Sequence, residues 1–214
     1  LLYKSGGDKE SISGLKAYTY NLENGKVVKS KMEKSAVFST ALNKYRDEEK
    51  FTLPNVKEGS VVEYQYLITS PFYYSIDEVD LQYDIPIKKQ EVSIATPEYF
   101  VFKPLMKGYL PISPKFGQKS GKINLATKTS TGNRMNAKTT NIGTRTIDYK
   151  ISTAEYILEN VPALKDEPYV NDMDNYRSSV NYELQYVQFP QESRENYSTT
   201  WEDVIKKIYK SDYE

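Results

Sequence analysis

Apolar and polar residues alternate along most of this chain, a pattern typical of β-strands that bury one face. The longest such run covers residues 178–189, where Val180, Tyr182, Leu184 and Tyr186 share one side. Asn24-Gly25 separates two other runs, and this dipeptide favours a tight hairpin turn. The segments that we predict as strands are Lys16–Leu22, Lys26–Met32, Ser60–Thr69, Glu91–Ala95, Tyr99–Phe102, Thr144–Ser152 and Ser178–Phe189.

The spacing of these strands indicates the class of fold. In Ser60–Thr69, alternation places Val62, Tyr64, Tyr66 and Ile68 on one face, which predicts a half-buried strand. Regularly spaced strands with turn residues between them favour an all-β antiparallel sandwich over a parallel α/β sheet. We expect residues 111–121 to form a loop. Residues 122–146 fit either a pair of exposed strands or a mobile excursion, and the sequence leaves both open.

The C-terminal segment has a helical pattern. Trp201, Val204, Ile205 and Ile208 recur at the spacing of one helix face. Thr199 with Glu202, or Thr200 with Asp203, supplies a capping-box start. Residues 190–198 have the composition of a linker. We therefore predict a β-sandwich domain over residues 1–190, followed by a linker and helix over 191–214. A lone helix of this length is marginal in water, so its apolar stripe is a candidate interdomain seam.

Composition restricts the chemistry. The 214 residues include no histidine and no cysteine, which excludes Ser-His-Asp and Cys-His sites, zinc fingers and disulfides built from this chain alone. The sequence contains neither a G-x-G-x-x-G motif nor a Walker-type lysine loop, the glycine-rich motifs that bind phosphate groups. The 29 basic and 29 acidic residues balance, which argues against a nucleic-acid partner. No apolar run is long enough for a transmembrane helix. We expect a non-catalytic chain without a metal or cofactor.

Three acidic groups are candidates for chemistry. The segment 171–175 resembles the start of a calcium loop, with Asp172 first and Glu183 twelfth, but Arg177 stands where glycine is needed. The plainer interpretation is a turn whose Asx side chains bond the local backbone. Asp166-Glu167 and Asp47-Glu48-Glu49 could be carboxylate pairs for glycoside hydrolysis, but adjacency in sequence supplies no cleft, and we expect solvated turns.

Tyrosine is the other unusual feature, with 20 copies. Strand-face tyrosines can stack on sugars or peptides, or they can fill the faces of a sandwich, which we favour. Asn196-Tyr197-Ser198 is a formal glycosylation acceptor, meaningful only in a eukaryotic secretory pathway. The candidate stacking residues are Tyr64, Tyr66, Tyr73, Tyr74, Tyr182 and Tyr186.

Four segments together resemble a known family: 51–72, 82–100, 159–186 and 201–209. The cues are Leu53-Pro54-Asn55-Val56 with Gly59-Ser60, then Ser70-Pro71-Phe72, and finally Asn160-Val161-Pro162-Ala163-Leu164 with Glu167-Pro168-Tyr169. They resemble the N-terminal domain of unknown function that precedes a transglutaminase-like core in many exported Bacteroidota proteins. The resemblance implies an immunoglobulin-like β-sandwich in the periplasm or at the cell surface.

It also implies a downstream catalytic domain with a Cys-His-Asp triad, none of which can be placed on this chain. We expect a fragment that lacks the family's first strands and stops before that core. The expected function is that of a non-catalytic accessory domain, which docks on the core or positions substrate for it. The alternative is a free-standing module that binds glycan or peptide through strand-face tyrosines.

Overall fold

The computed structural model describes residues 1–131, 139–165, 168–190 and 192–210. Most of them lie in antiparallel strands, and one short helix, α1 (Trp201–Lys210), follows the last strand. The all-β class with a C-terminal helix is thereby confirmed. The strands are β1 (Leu2–Ser5), β2 (Asp8–Lys9), β3 (Ser11–Glu23), β4 (Lys26–Lys31), β5 (Val37–Ala41), β6 (Arg46–Phe51), β7 (Val61–Thr69), β8 (Ile76–Asp80), β9 (Ile87–Pro97), β10 (Phe100–Lys107), β11 (Lys115–Thr131), β12 (Thr139–Val161), β13 (Ser179–Val187) and β14 (Glu195–Asn196).

The chain divides into two compact units, Leu1–Tyr73 and Tyr74–Glu214. Alternation alone does not show this division, because strands of both units carry the same pattern. The boundary predicted at 190/191 separates the β-sandwich from a linker and helix that would lead to a further domain, and it stays a prediction. Two residues of the predicted linker form β14, which pairs with β13.

The first unit contains two sheets, with strand orders β2-β1-β6-β5 and β4-β3-β7. The predicted hairpin is confirmed: Asn24 and Gly25 join β3 to β4, with φ of +50° and +75°. Positive φ at both positions is what a type I′ turn requires.

One buried side chain holds in place the turn after β6, which contains Asn55, Gly59 and Ser60. Asn21, on β3, donates to the carbonyl of Asn55 at 2.9 Å and accepts from the hydroxyl of Ser60 at 2.5 Å. Asn55 and Gly59 have φ of +54° and +80°, which their residue types tolerate. The Asn-Val-Lys-Glu-Gly-Ser turn is therefore tied to the sheet.

Strand β7 departs from its predicted burial. Its register places Val62 and Tyr64 opposite Thr19 and Ala17, which are buried, so the predicted face is the inner one. Yet all nine residues of β7 are exposed. The strand prediction is confirmed and its half-burial is wrong, because β7 is an edge strand of this sheet and the described part of the unit leaves it uncovered.

The second unit is a two-layered sandwich. One layer has β13 between β10 on one edge and the short strands β8 and β14 on the other. The second layer has the order β11-β12-β9. Pro104 lies in β10, an edge strand, where a missing amide donor is tolerated. Facing layers of this kind are the arrangement expected of an immunoglobulin-like fold.

The core of this unit joins both layers. Tyr156 on β12 and Val180 on β13 are almost fully buried, and Leu81, which follows β8, has no exposed surface. Hydrophobic residues of β9 and β10 pack around them. Because each large apolar side chain that is fully buried contributes about 1.5–3 kcal/mol, this cluster holds the layers together. The buried cluster comprises Leu81, Ala154, Tyr156, Leu158, Val161, Val180 and Tyr182.

The region after β10 differs from its loop prediction. β11 begins at Lys115, so the loop expected over 111–121 is wrong from that residue on. Gly121 stands opposite Tyr149, whose ring covers the place a Cβ would occupy. A long-range aromatic contact thus holds a glycine in a strand. Of the two alternatives for 122–146, the strand pair is confirmed up to Thr131 and from Thr139; residues 132–138 lie outside the described residues.

Helix α1 begins as one of the two proposed capping boxes predicts. The Thr200 hydroxyl accepts from the backbone N–H of Asp203 at 3.2 Å and donates to the Asp203 carboxylate at 3.0 Å. The hydroxyl of Thr199 also donates to that carboxylate. These bonds, Thr199's first, lower the pKa of Asp203. Within the described ranges, no helix combines the length and apolarity needed to cross a membrane.

Candidate binding groove

The loop between β12 and β13 and the loop after β10 enclose a cavity of about 700 Å³ in the second unit. This volume lies within the range of small-ligand sites. Most of its walls are apolar or aromatic. The residues that form these walls include Tyr109, Leu110, Leu164, Val170, Met173 and Tyr176.

A more polar cavity of about 520 Å³ adjoins the first one. The two share Leu164, Lys165 and Met173 in their walls and are therefore adjacent, and we call the pair of cavities the loop groove. Asp84, Asp172, Asp174 and Arg177 line its polar part. The groove therefore has an apolar half and a charged half.

Arg177 holds the charged half in place. Its side chain is 17% exposed and donates to the carbonyl of Gln82 at 3.0 Å, to Asp84 at 3.1 Å and to Asp174 at 2.8 Å. The bond to Asp174 is the main cause of a raised pKa for the guanidinium. Arg177 thus ties the loop that precedes β13 to the segment after β8, and its own charge is already paired.

The aromatic wall depends on a close backbone approach. Gly108 has a φ of +89°, and a Cβ there would lie 2.5 Å from the Cα of Ser178. The Ser178 hydroxyl accepts from the backbone N–H of Leu110 at 3.2 Å. Between these anchors, Tyr109 is 83% exposed and stacks on Tyr176 with ring centroids 6.3 Å apart.

The groove floor carries one nearly buried amide. Gln82 is 9% exposed, and its Nε2 donates to the carbonyl of Pro162 at 3.1 Å. Asn160, two residues before Pro162, has a φ of +54° and lies inside β12, just before its last residue, Val161. The Asn-Val-Pro motif of the sequence is therefore a structural element of this groove.

The predicted seam lies on α1. Trp201 is 80% exposed and Ile205 is 48% exposed, while Val204 is half-buried and Ile208 is exposed. The helical prediction for the stripe is confirmed. Its role as an interdomain seam stays a prediction.

The proposed stacking tyrosines do not share one environment. Tyr64, Tyr66 and Tyr73 belong to the first unit, whereas Tyr74, Tyr182 and Tyr186 belong to the second. Tyr64 and Tyr66 are exposed and their rings are parallel, 6.3 Å apart. Tyr182 is buried in the sandwich, as the packing interpretation expects, so it offers no surface for stacking. Arg194 covers the ring of Tyr186 at 3.5 Å.

The acidic candidates have structural partners. The Asp172 carboxylate accepts from the backbone N–H of Asp174 at 2.9 Å, which confirms the Asx-turn interpretation, and Glu183 lies within β13. Glu48 pairs with Lys50 at 2.7 Å, and Asp47 pairs with Lys4. Asp166-Glu167 lies outside the described residues. Among the residues that are described, no group of three or more acidic side chains is placed to hold a metal ion.

The loop groove was not predicted from the sequence. Its charged half brings together residues 93 positions apart, Arg177 and Asp84. The one available signal was the density of Asp and Asn over 171–175, which we interpreted as a turn, with Tyr169 and Tyr176 beside it. A concentration of aromatic and polar residues between two strands is also what a binding loop requires.

Comparisons with known proteins add little to this geometry. No protein-family model matches the sequence, and no curated protein matches it significantly. A similar solved structure is that of a putative protease from Parabacteroides distasonis, with 20% identity and a TM-score of 0.49. The similarity covers 81% of this chain and 32% of that chain, so this chain spans about a third of the length of that protein. So weak a likeness carries no argument about activity.

Proposed function

We propose that this chain is a non-catalytic β-sandwich accessory module of an exported transglutaminase-like protein. It acts in the periplasm or at the cell surface, where it docks on a downstream transglutaminase-like domain of the same polypeptide and positions substrate for that domain. The resemblance of segments 51–72, 82–100, 159–186 and 201–209 to the family's N-terminal domain supports the assignment. The absence of Cys and His from the sequence supports a non-catalytic role.

The single observation that carries the docking role is the exposure of Trp201. A tryptophan with 80% of its surface in solvent, on a helix stripe that also exposes Ile205, is an unusual use of large apolar side chains. A helix of ten residues has little intrinsic stability in water. Contact with a neighbouring domain would stabilise the helix and cover the stripe.

Replacement of Trp201 tests this role in two contexts. In the 214-residue chain, we expect Trp201→Ala to change the free energy of unfolding by less than about 0.5 kcal/mol, because the side chain is exposed. In the full-length polypeptide, we expect the same change to lower the melting temperature of this module by several degrees. Lys206→Ala, on the opposite side of α1, is the matched control and should be neutral in both contexts. Equal effects of Trp201→Ala in the two contexts would refute the docking role.

A second candidate function rests on Tyr64 and Tyr66. Their exposed, parallel rings form a surface on which a sugar ring or a peptide group can stack. A free-standing binding module would use such a surface. A glycan array with the unaltered chain and with Tyr64→Ala tests it. Saturable binding that the substitution removes supports the module, and no binding by the unaltered chain excludes it for the glycans used.

A further inference from the structure

We infer that the loop groove binds an extended peptide segment that places an apolar side chain next to a basic one. This inference deepens the proposed function and rests on it, because it names the class of substrate that the module would position. Three features of the groove favour such a peptide: its apolar half, the amide of Gln82 and the charge of its polar half.

The apolar half suits a large aliphatic or aromatic side chain. Leu110, Leu164 and Met173 contribute aliphatic walls, and the stacked rings of Tyr109 and Tyr176 close one side. Methionine adapts its shape to different occupants, which suits a site that accepts several side chains. Sugar hydroxyls would find few hydrogen-bond partners against these walls, so the lining favours peptide over glycan.

Gln82 supplies an acceptor for a peptide backbone. The carbonyl of Pro162 can only accept, so the amide nitrogen of Gln82 must face it, and the amide oxygen faces elsewhere. No hydrogen bond to that oxygen is present within the described residues, and it is not one of the buried atoms left without a partner, so it keeps contact with solvent. A donor from a ligand can replace water at such an acceptor. The backbone N–H of an extended peptide is such a donor.

The polar half favours a cationic neighbour. Three carboxylates, those of Asp84, Asp172 and Asp174, face two cations, those of Arg177 and Lys165. Arg177 is already paired with Asp84 and Asp174. Asp172 accepts from a backbone N–H and forms no ion pair in the described part of the chain. Its carboxylate is therefore available to a Lys or Arg side chain of the peptide.

Fluorescence anisotropy with three labelled octapeptides tests the inference on the 214-residue chain. The peptides are Gly-Ser-Gly-Phe-Lys-Gly-Ser-Gly and its Phe-Glu and Ala-Lys counterparts. We expect the Phe-Lys peptide to bind about fivefold more tightly than either counterpart, as one lost contact of about 1 kcal/mol requires. Tyr109→Ala should weaken binding of the Phe-Lys peptide at least about fivefold. Asp172→Asn, which keeps the local turn, should remove most of the preference for Phe-Lys over Phe-Glu.

The matched controls are not among the residues that line the groove. Tyr45→Ala and Asp148→Asn, both at exposed positions, should leave binding unchanged. Equal affinity for the three peptides, or binding that survives Tyr109→Ala, would overturn the inference. If none of the three peptides bound and chitohexaose or maltohexaose bound saturably instead, the inference would also be overturned, in favour of a glycan site. These outcomes are separable from the docking role, because a failed seam at Trp201 leaves the groove intact and a failed groove leaves the seam.

Discussion

The hydroxyl oxygens of Tyr156 and Tyr182 lie 2.6 Å apart and join the two layers of the sandwich through their buried faces. One hydroxyl donates to the other, and both side chains are buried. A buried polar pair of this kind stabilises only while both members are present, because either hydroxyl alone becomes an unsatisfied group.

A double-mutant cycle measures this relationship. We expect Tyr156→Phe and Tyr182→Phe each to lower the free energy of unfolding by about 1–2 kcal/mol. The double variant should lose less than the sum of the two by about 1 kcal/mol, because no orphaned hydroxyl remains. Urea unfolding of the four proteins provides the values. Strict additivity would contradict a direct bond between the hydroxyls.

The same pair predicts a pH dependence. Burial, and then the hydrogen bond with Tyr156, raise the pKa of Tyr182 above its ordinary value of about 10. A group whose pKa is raised by folding stabilises the folded state below its unfolded pKa and loses that contribution as pH rises through the folded value. Stability should therefore fall above about pH 10, by up to about 1.4 kcal/mol per pH unit from this group.

The comparison with Tyr182→Phe isolates that contribution from other tyrosines and lysines that titrate in the same range. Unfolding free energies measured from pH 8 to pH 11.5 should decline less steeply in the variant than in the unaltered chain. Parallel curves would show that Tyr182 is not shielded in solution.

Gly108 is predicted to be irreplaceable at the edge of the loop groove. An alanine there combines a left-handed φ of +89° with a Cβ placed 2.5 Å from the Cα of buried Ser178. Strain and overpacking together should cost about 2–4 kcal/mol. Gly7 has a φ of +93° but open space around its Cβ position, so Gly7→Ala should cost only about 1 kcal/mol. Thermal unfolding of both variants gives the comparison, and equal losses would contradict the close approach to Ser178.

Arg177 is predicted to require its planar guanidinium. Lysine cannot bond the Gln82 carbonyl, Asp84 and Asp174 at once, so Arg177→Lys should lower the free energy of unfolding by about 1–2 kcal/mol. Arg46→Lys, at an exposed position on β6, should change it by less than about 0.5 kcal/mol. Chemical denaturation measures both. A tolerated lysine at 177 would show that the polar half is not held by this side chain.

Features that depend on neighbouring residues could be predicted from the sequence, and features that depend on long-range contacts could not. The Asn24-Gly25 turn and the Thr200–Asp203 cap depend on neighbouring residues, and both were predictable. The strand at Lys115 was not, because its glycine at 121 is covered by Tyr149, a residue on the partner strand. The exposure of β7 was also hidden, since alternation shows which side chains share a face and not whether another layer covers that face.

The groove was beyond prediction for a related reason. Its charged half exists because Arg177 reaches Asp84 and the carbonyl of Gln82, both on a distant segment. Locally, the same residues fit an Asx turn, and that interpretation is confirmed by the bond from the Asp174 N–H to Asp172. Local turn chemistry and a binding loop are thus compatible, and only the tertiary contacts distinguish them.

We propose that α1 packs against a second domain of its own polypeptide. Hydrogen–deuterium exchange of the amides in Trp201–Lys210 tests it most directly, with the 214-residue chain compared against the full-length polypeptide. We predict exchange at least about tenfold slower in the full-length protein, since about 1.4 kcal/mol of added helix stability gives that factor. Identical exchange rates in the two proteins would show that no second domain covers α1.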